Sequence, residues 1–146
     1  PSQFTGKRAD RFELFLYHHW RCVNLLAIGV TDQARLALLS MSGTAGAARF
    51  GRTRRRMDQI YCYDYYLYEM ACGRYNGAEE AFADLFSSAK NNYGRVLAML
   101  GLGRVHEHFG RNEQAREAYE YAARHGNRLY AAAVAREQLE GLQSVR

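Results

Sequence analysis

One spacing constrains this chain more than any other. A glycine is followed five residues later by an alanine, four after that by a large apolar residue, and three after that by another apolar residue. It occurs three times: Gly29, Ala34, Leu38, Met41; Gly73, Ala78, Phe82, Leu85; Gly110, Ala115, Tyr119, Ala122. Glycine permits a tight left-handed helix stop. The small alanine lets two helices approach closely, and the large residue lies one turn further along the same face. The pattern predicts helix pairs rather than a sheet. One proline against 13 glycines, and the absence of any alternating strand segment, agree with that.

Seven helices follow from apolar spacing and stop signals. The first covers about 10–28, with Phe12, Phe15, Leu16, His19, Val23 and Leu26 on one stripe and Asp10 with Glu13 in a capping-box pattern. Asp32 is the expected cap of the second, which runs to Met41, and 42–51, rich in Gly, Ala, Ser and Thr, reads as a loop. Helices are expected over 53–72, 76–90, 95–109 and 113–125, with Asn91–Gly94 a turn and Gly126 a stop. A last helix over 128–142 puts Ala132, Leu139 and Leu142 inward and Arg136, Glu137 and Glu140 outward.

The repeat resembles the tetratricopeptide repeat family. The match is strongest over 95–128, where Leu102-Gly103, Gly110, Ala115, Tyr119 and Ala122 stand at the family's signature spacing. It is fair over 60–90 and weak over 12–41, whose first helix has His18, Arg21 and Cys22 where the family prefers packed residues. The resemblance implies one all-α domain over 1–146, a short right-handed solenoid of three helix-turn-helix repeats. These cover 10–41, 53–90 and 95–126, with an inserted loop at 42–52 and a capping helix at 128–142. It also implies a non-enzymatic protein-binding module, an adaptor or structural subunit of a multiprotein assembly. Carried over by position, the concave groove that binds a partner is lined by Ile60, Tyr63, Leu67, Met70, Leu97, Leu100, Arg104 and Glu107. The basic set with which some members grip a C-terminal carboxylate is missing. Some three-repeat members are small chaperones that shelter apolar client segments, which is a further alternative.

Charge adds a second candidate surface. The net charge is +5, and Arg49, Arg52, Arg54, Arg55 and Arg56 account for all of it. Three readings stand: a solvated loop, a dock for acidic protein through guanidinium forks, or a phosphate contact that makes the chain a subunit of a ribonucleoprotein or large organellar complex. Cations are disfavoured at a helix N-terminus, which favours a partner. Residues 60–72 carry five tyrosines (Tyr61, Tyr63, Tyr65, Tyr66, Tyr68), with Asp64 and Glu69 the only charges. That helix is expected to be buried on most sides, or to offer a tyrosine face to a partner.

No enzyme, cofactor or metal is expected. His106-Glu107-His108 and His18-His19 lack the i, i+4 spacing of a helical zinc site. Gly101-x-Gly103 falls inside a helix and reads as close packing rather than a phosphate loop. Cys22, Cys62 and Cys72 form no disulfide framework, and Cys62 and Cys72 lie too far apart along one helix to be bridged. A reducing compartment is expected: the cytoplasm, or an organelle matrix after loss of a presequence. No apolar run reaches the roughly 18 residues of a membrane span.

Overall fold

The computed structural model describes residues 8–49, 51–126 and 130–144. These form seven α-helices and no strand: α1 (Arg8–Ala27), α2 (Thr31–Gly46), α3 (Arg52–Ala71), α4 (Ala78–Ser88), α5 (Asn92–His108), α6 (Asn112–His125) and α7 (Tyr130–Ser144). None of the helices is long and apolar enough to cross a membrane among the described residues. The fold is all-α, and the packing between neighbouring helices is compatible with a helical repeat. The chain divides after Gly73 into two compact units, α1–α3 and α4–α7. The stretch 53–90, expected as one repeat, gives α3 to the first unit and α4 to the second.

The three glycine stops form as the spacing requires. Gly29, Gly73 and Gly110 have φ of 79°, 83° and 75°, the left-handed region that other residues enter at a cost. At two of them the six-to-one bond of a Schellman motif closes the helix: Val30 N–H donates to the Leu25 carbonyl at 2.9 Å, and Arg111 N–H to the His106 carbonyl at 2.8 Å. At Gly29 and Gly110 the chain turns back within three residues, so that α2 packs on α1 and α6 on α5, and six residues separate α3 from α4.

In the first unit α1 packs on α2, and α3 lies against both. The core comprises Phe15 and Cys22 from α1, Ala34, Ala37, Leu38 and Met41 from α2, and Met57 and Ile60 from α3. Of the expected stripe Phe15 and His19 are buried and Phe12, Leu16, Val23 and Leu26 half-buried, and Cys22, not among its expected members, is buried at i+7 from Phe15. Cys22 is fully buried there as a small hydrophobe.

Three local readings need correction here. Asp10 lies inside the first turn of α1 rather than at its cap. Asp32 likewise sits in the first turn of α2, whose N-cap is Val30. In both places the carboxylate still meets the positive end of the helix dipole. The third is the loop over 42–51: α2 continues to Gly46, leaving a connection of only five residues before α3. Ala45 extends the buried stripe of Ala34, Leu38 and Met41 by a turn. The Thr44 hydroxyl, which reads as a loop former, bonds back within the helix to the Ser40 carbonyl at 2.8 Å, as Ser40 Oγ does one turn earlier to the Leu36 carbonyl at 3.2 Å.

In the second unit α5 is the central helix, packed on α4, α6 and α7. It can occupy that place because two of its positions have no side chain. A Cβ on Gly101 would lie 2.5 Å from the Phe82 ring of α4, and one on Gly103 would overlap the Tyr119 ring of α6. Close packing is therefore the role of Gly101-x-Gly103, and each glycine seats the large residue of a repeat. The expected turn at 91–94 is shorter than read. Asn91 caps α5, its Oδ1 accepting from Gly94 N–H at 2.9 Å.

Gly126 ends α6 in an ordinary right-handed conformation, not a left-handed one; Ala132 occupies the space its Cβ would need. Ala132 is buried and Leu139 and Leu142 are half-buried, with Arg136, Glu137 and Glu140 exposed. The expected first residue of α7, Arg128, lies outside the described residues.

Candidate interaction surfaces

The eight positions expected to line a groove fall into two classes. Ile60 and Tyr63 in the first unit, and Leu97 and Leu100 in the second, are core residues of at most 6% exposure. They are not available to a partner. Apolar spacing marks a helix face that is covered; it carries no information about what covers it. Leu67, Met70 and Arg104 are half-buried, and Glu107 is exposed. Glu107 is occupied within the unit, accepting a 2.8 Å hydrogen bond from the Tyr119 hydroxyl.

The arginine cluster divides by role. Arg54 is structural: its Nε meets Asp58 Oδ1 at 3.0 Å, and its guanidinium donates to the Ala48 carbonyl at 3.1 Å. Arg11 of α1 donates to the neighbouring Ala47 carbonyl at 3.0 Å. The last turn of α2 holds no basic residue, so arginines from α1 and α3 supply the charge that the carbonyl end of that helix attracts. Arg49, Arg52, Arg55 and Arg56 are exposed. Arg52, Arg55 and Arg56 stand in the first turns of α3, which has no acidic residue in its first turn and no side-chain cap at Gly51. The positive end of the dipole and the cations therefore add.

The tyrosine-rich helix is only partly enclosed. Tyr63 is buried, Tyr61, Tyr66 and Tyr68 are half-buried, and Tyr65 is exposed. Tyr65 stacks on Tyr61 at 6.1 Å between centroids and meets Tyr66 edge-on at 5.1 Å. A hydrogen bond to Glu69 raises the Tyr65 phenol above its ordinary value.

Sequence reasoning missed the residue with the most unusual surroundings. Asp64 is fully buried, and its Oδ2 lies 2.6 Å from His19 Nδ1 of α1. Its other oxygen, Oδ1, has no hydrogen-bond partner. Burial raises its pKa to about 6, against the opposing pull of the His19 hydrogen bond and charge. The signal was present in two places: His19 on an otherwise apolar stripe, and Asp64 in an otherwise aromatic helix. Neither showed that the two meet. Cys22, beside them, is pushed up to about 12 by burial and then by the Asp64 charge, so it stays a thiol and is a poor nucleophile. Among the described residues no group of three His, Cys, Asp or Glu side chains is arranged to hold a metal ion.

The second unit has its own polar cluster at the turn between α5 and α6. Arg111 bridges to Glu79 of α4 at 2.9 Å, lies 3.2 Å from His106 Nδ1, and stands over the Phe109 ring. His108 stacks on Tyr75 at 3.5 Å with its ring nearly parallel. His106 and His108 thus serve different contacts, as their i, i+2 spacing requires.

Comparison of the chain with protein-family models, with curated proteins and with solved structures returns no match.

Proposed function

We propose that this chain is a helical-repeat interaction module of the tetratricopeptide kind, a non-enzymatic adaptor or structural subunit of a protein assembly. The observation that carries this reading is the recurring glycine-stop spacing: α1 and α5 each end in a left-handed glycine and α2 and α6 pack back on them, while α4 carries the same spacing and packs on α5. Two of the large residues, Phe82 and Tyr119, are seated on glycines of the intervening helix. Folds of this type serve as extended binding surfaces rather than as housings for chemistry. The exposed aromatic residues Tyr17 and Trp20 of α1, at 58% and 38% exposure, are the surface the reading assigns to a protein partner in place of the buried groove positions.

The test is purification of the tagged full chain from native extract, with and without RNase, followed by quantitative mass spectrometry. A stoichiometric set of proteins that survives RNase, and is lost with Tyr17→Ala and Trp20→Ala together, is the expected result. A set that collapses on RNase treatment would transfer the function to Arg49, Arg52, Arg55 and Arg56. If no stoichiometric protein is retained, the reading fails.

A further inference from the structure

Apart from Gly94 in the first turn of α5 and Gly141 in α7, the glycines in the described helices form two close pairs, and a side chain of the same unit lies over only one of these pairs. Gly101 and Gly103 seat the rings of Phe82 and Tyr119. Gly43 and Gly46 lie in the last turns of α2, and a Cβ at either would meet nothing within 4 Å. Both are exposed. Glycine weakens a helix interior relative to alanine, so Gly43 breaks a local rule with no gain inside the unit, and Gly46, the last residue of α2, continues the same exposed stripe. Such violations point to a role outside it.

The same stripe carries two leucines. Leu36 and Leu39 are each 58% exposed. Leu36, Leu39, Gly43 and Gly46 follow one another at intervals of three, four and three, the seam of a coiled-coil helix. This seam faces away from the core stripe of Ala34, Leu38, Met41 and Ala45. It has two knobs in its N-terminal half and two vacant holes in its C-terminal half.

We propose that α2 pairs with α2 of a second copy of this chain, antiparallel across a two-fold axis, with Leu36 and Leu39 of each copy seated on Gly46 and Gly43 of the other. A two-fold interface requires a patch complementary to itself. An order of large, large, small, small along one stripe meets that requirement when the helix is reversed on itself. It does not do so in the parallel direction, where leucine meets leucine and glycine faces glycine across a gap. Charge agrees with the reversal. Asp32 at the exposed start of α2 falls beside the exposed Arg49 that follows the partner's helix end, and antiparallel dipoles offset one another. The interval pattern sets a shallow left-handed crossing of about 20°. A single helix pair lies in the size class below about 1,200 Å² of total buried area, typical of weak associations. The pairing is therefore concentration-dependent, and it is independent of whether the chain also binds another protein.

Sedimentation velocity on the full chain from about 5 μM to 1 mM tests this directly. The mass is expected to rise from monomer toward dimer, and Gly43→Leu, which fills a hole that is open in the monomer, is expected to weaken dimerisation at least tenfold. Far-UV circular dichroism confirms that the variant keeps its helices, as an exposed site with open space predicts. Direction is read by cross-linking in a background with Cys62→Ser and Cys72→Ser. Leu39→Cys mixed with Gly43→Cys should form a heterodimeric disulfide, whereas Leu39→Cys alone should not couple to itself. A monomer at every concentration, a dimer indifferent to Gly43→Leu, or a disulfide between two copies of Leu39→Cys would each overturn the proposal.

Discussion

Asp64→Asn is the most informative single change in the first unit. The carboxyl is fully buried and its pKa is raised from an ordinary 3.8 to about 6. A carboxyl raised on folding contributes stability that is complete below its unfolded pKa and is lost as pH rises through its folded one. The window is therefore about pH 4 to 7, with stability falling as pH rises. A difference of about two pKa units at 1.36 kcal/mol each corresponds to roughly 3 kcal/mol between the two ends. The structure explains the cost. The charge is out of water with one oxygen unpartnered, and only the 2.6 Å bond to His19 offsets it. Asparagine keeps an oxygen for His19 and removes the titration. Urea unfolding at half-unit steps from pH 4 to 7.5 reads the effect, with the fluorescence of Trp20 as reporter. This is the chain's single tryptophan, and its ring centroid lies 4.9 Å from that of His19. The difference between wild type and variant cancels the titration of groups remote from Asp64, and repeating it in a His19→Gln background removes the one imidazole in contact with the carboxyl. It should favour wild type at pH 4 and lose most of that advantage by pH 7. A flat difference, or one that grows toward neutral pH, would refute the reasoning, because Asp64 would then be either solvated or fully compensated.

Three further outcomes follow from the packing. Gly101→Ala drives a Cβ into the Phe82 ring and should destabilise the second unit by about 1–3 kcal/mol in denaturant unfolding, with Phe82→Leu restoring part of the loss; a neutral result would mean that the ring moves freely. Asn91→Ala removes the cap on Gly94 N–H and should cost about 1 kcal/mol in the same assay, whereas Asn91→Ser should cost much less. Cys22, fully buried and pushed up to about 12, should react with a thiol reagent only on unfolding, after the half-buried Cys62 and Cys72; labelling of the native protein at Cys22, mapped by peptide mass, would show that the α1–α3 contact opens readily.

Helix number and order were legible because they rest on short-range rules. Each left-handed stop at Gly29, Gly73 and Gly110 is set by one residue and its own turn. Boundaries were less legible where polar residues have two ways to be satisfied. Ser42, Gly43 and Thr44 have loop chemistry, yet Thr44 bonds to its own helix and Ala45 finds a buried site, so α2 runs on to Gly46. Which residues form the core was largely readable. Which apolar residues face a partner was not. Ile60, Tyr63, Leu97 and Leu100 are drawn inward, because burial against a neighbouring helix and burial against a ligand demand the same side chains. The His19–Asp64 pair was illegible for a different reason. Its members stand 45 positions apart, and local spacing says nothing about a crossing between α1 and α3.

The two glycine pairs mark where sequence reading stops and structure begins. Gly101 and Gly103 stand two apart in a helix, Gly43 and Gly46 three apart in another, and composition treats them alike. Small side chains at a helix surface mean that something comes close. In α5 the approaching groups are rings from α4 and α6 of the same unit, and the spacing from Gly73 to Phe82 and from Gly110 to Tyr119 had already placed those rings on the facing helices. In α2 the approach space is open and bordered by two exposed leucines. An internal cause accounts for one pair and is missing for the other. If the antiparallel pairing is correct, both pairs follow one rule: the paired glycines of α5 and α2 stand where a large apolar side chain sits down, from the same chain in α5 and from a second copy in α2.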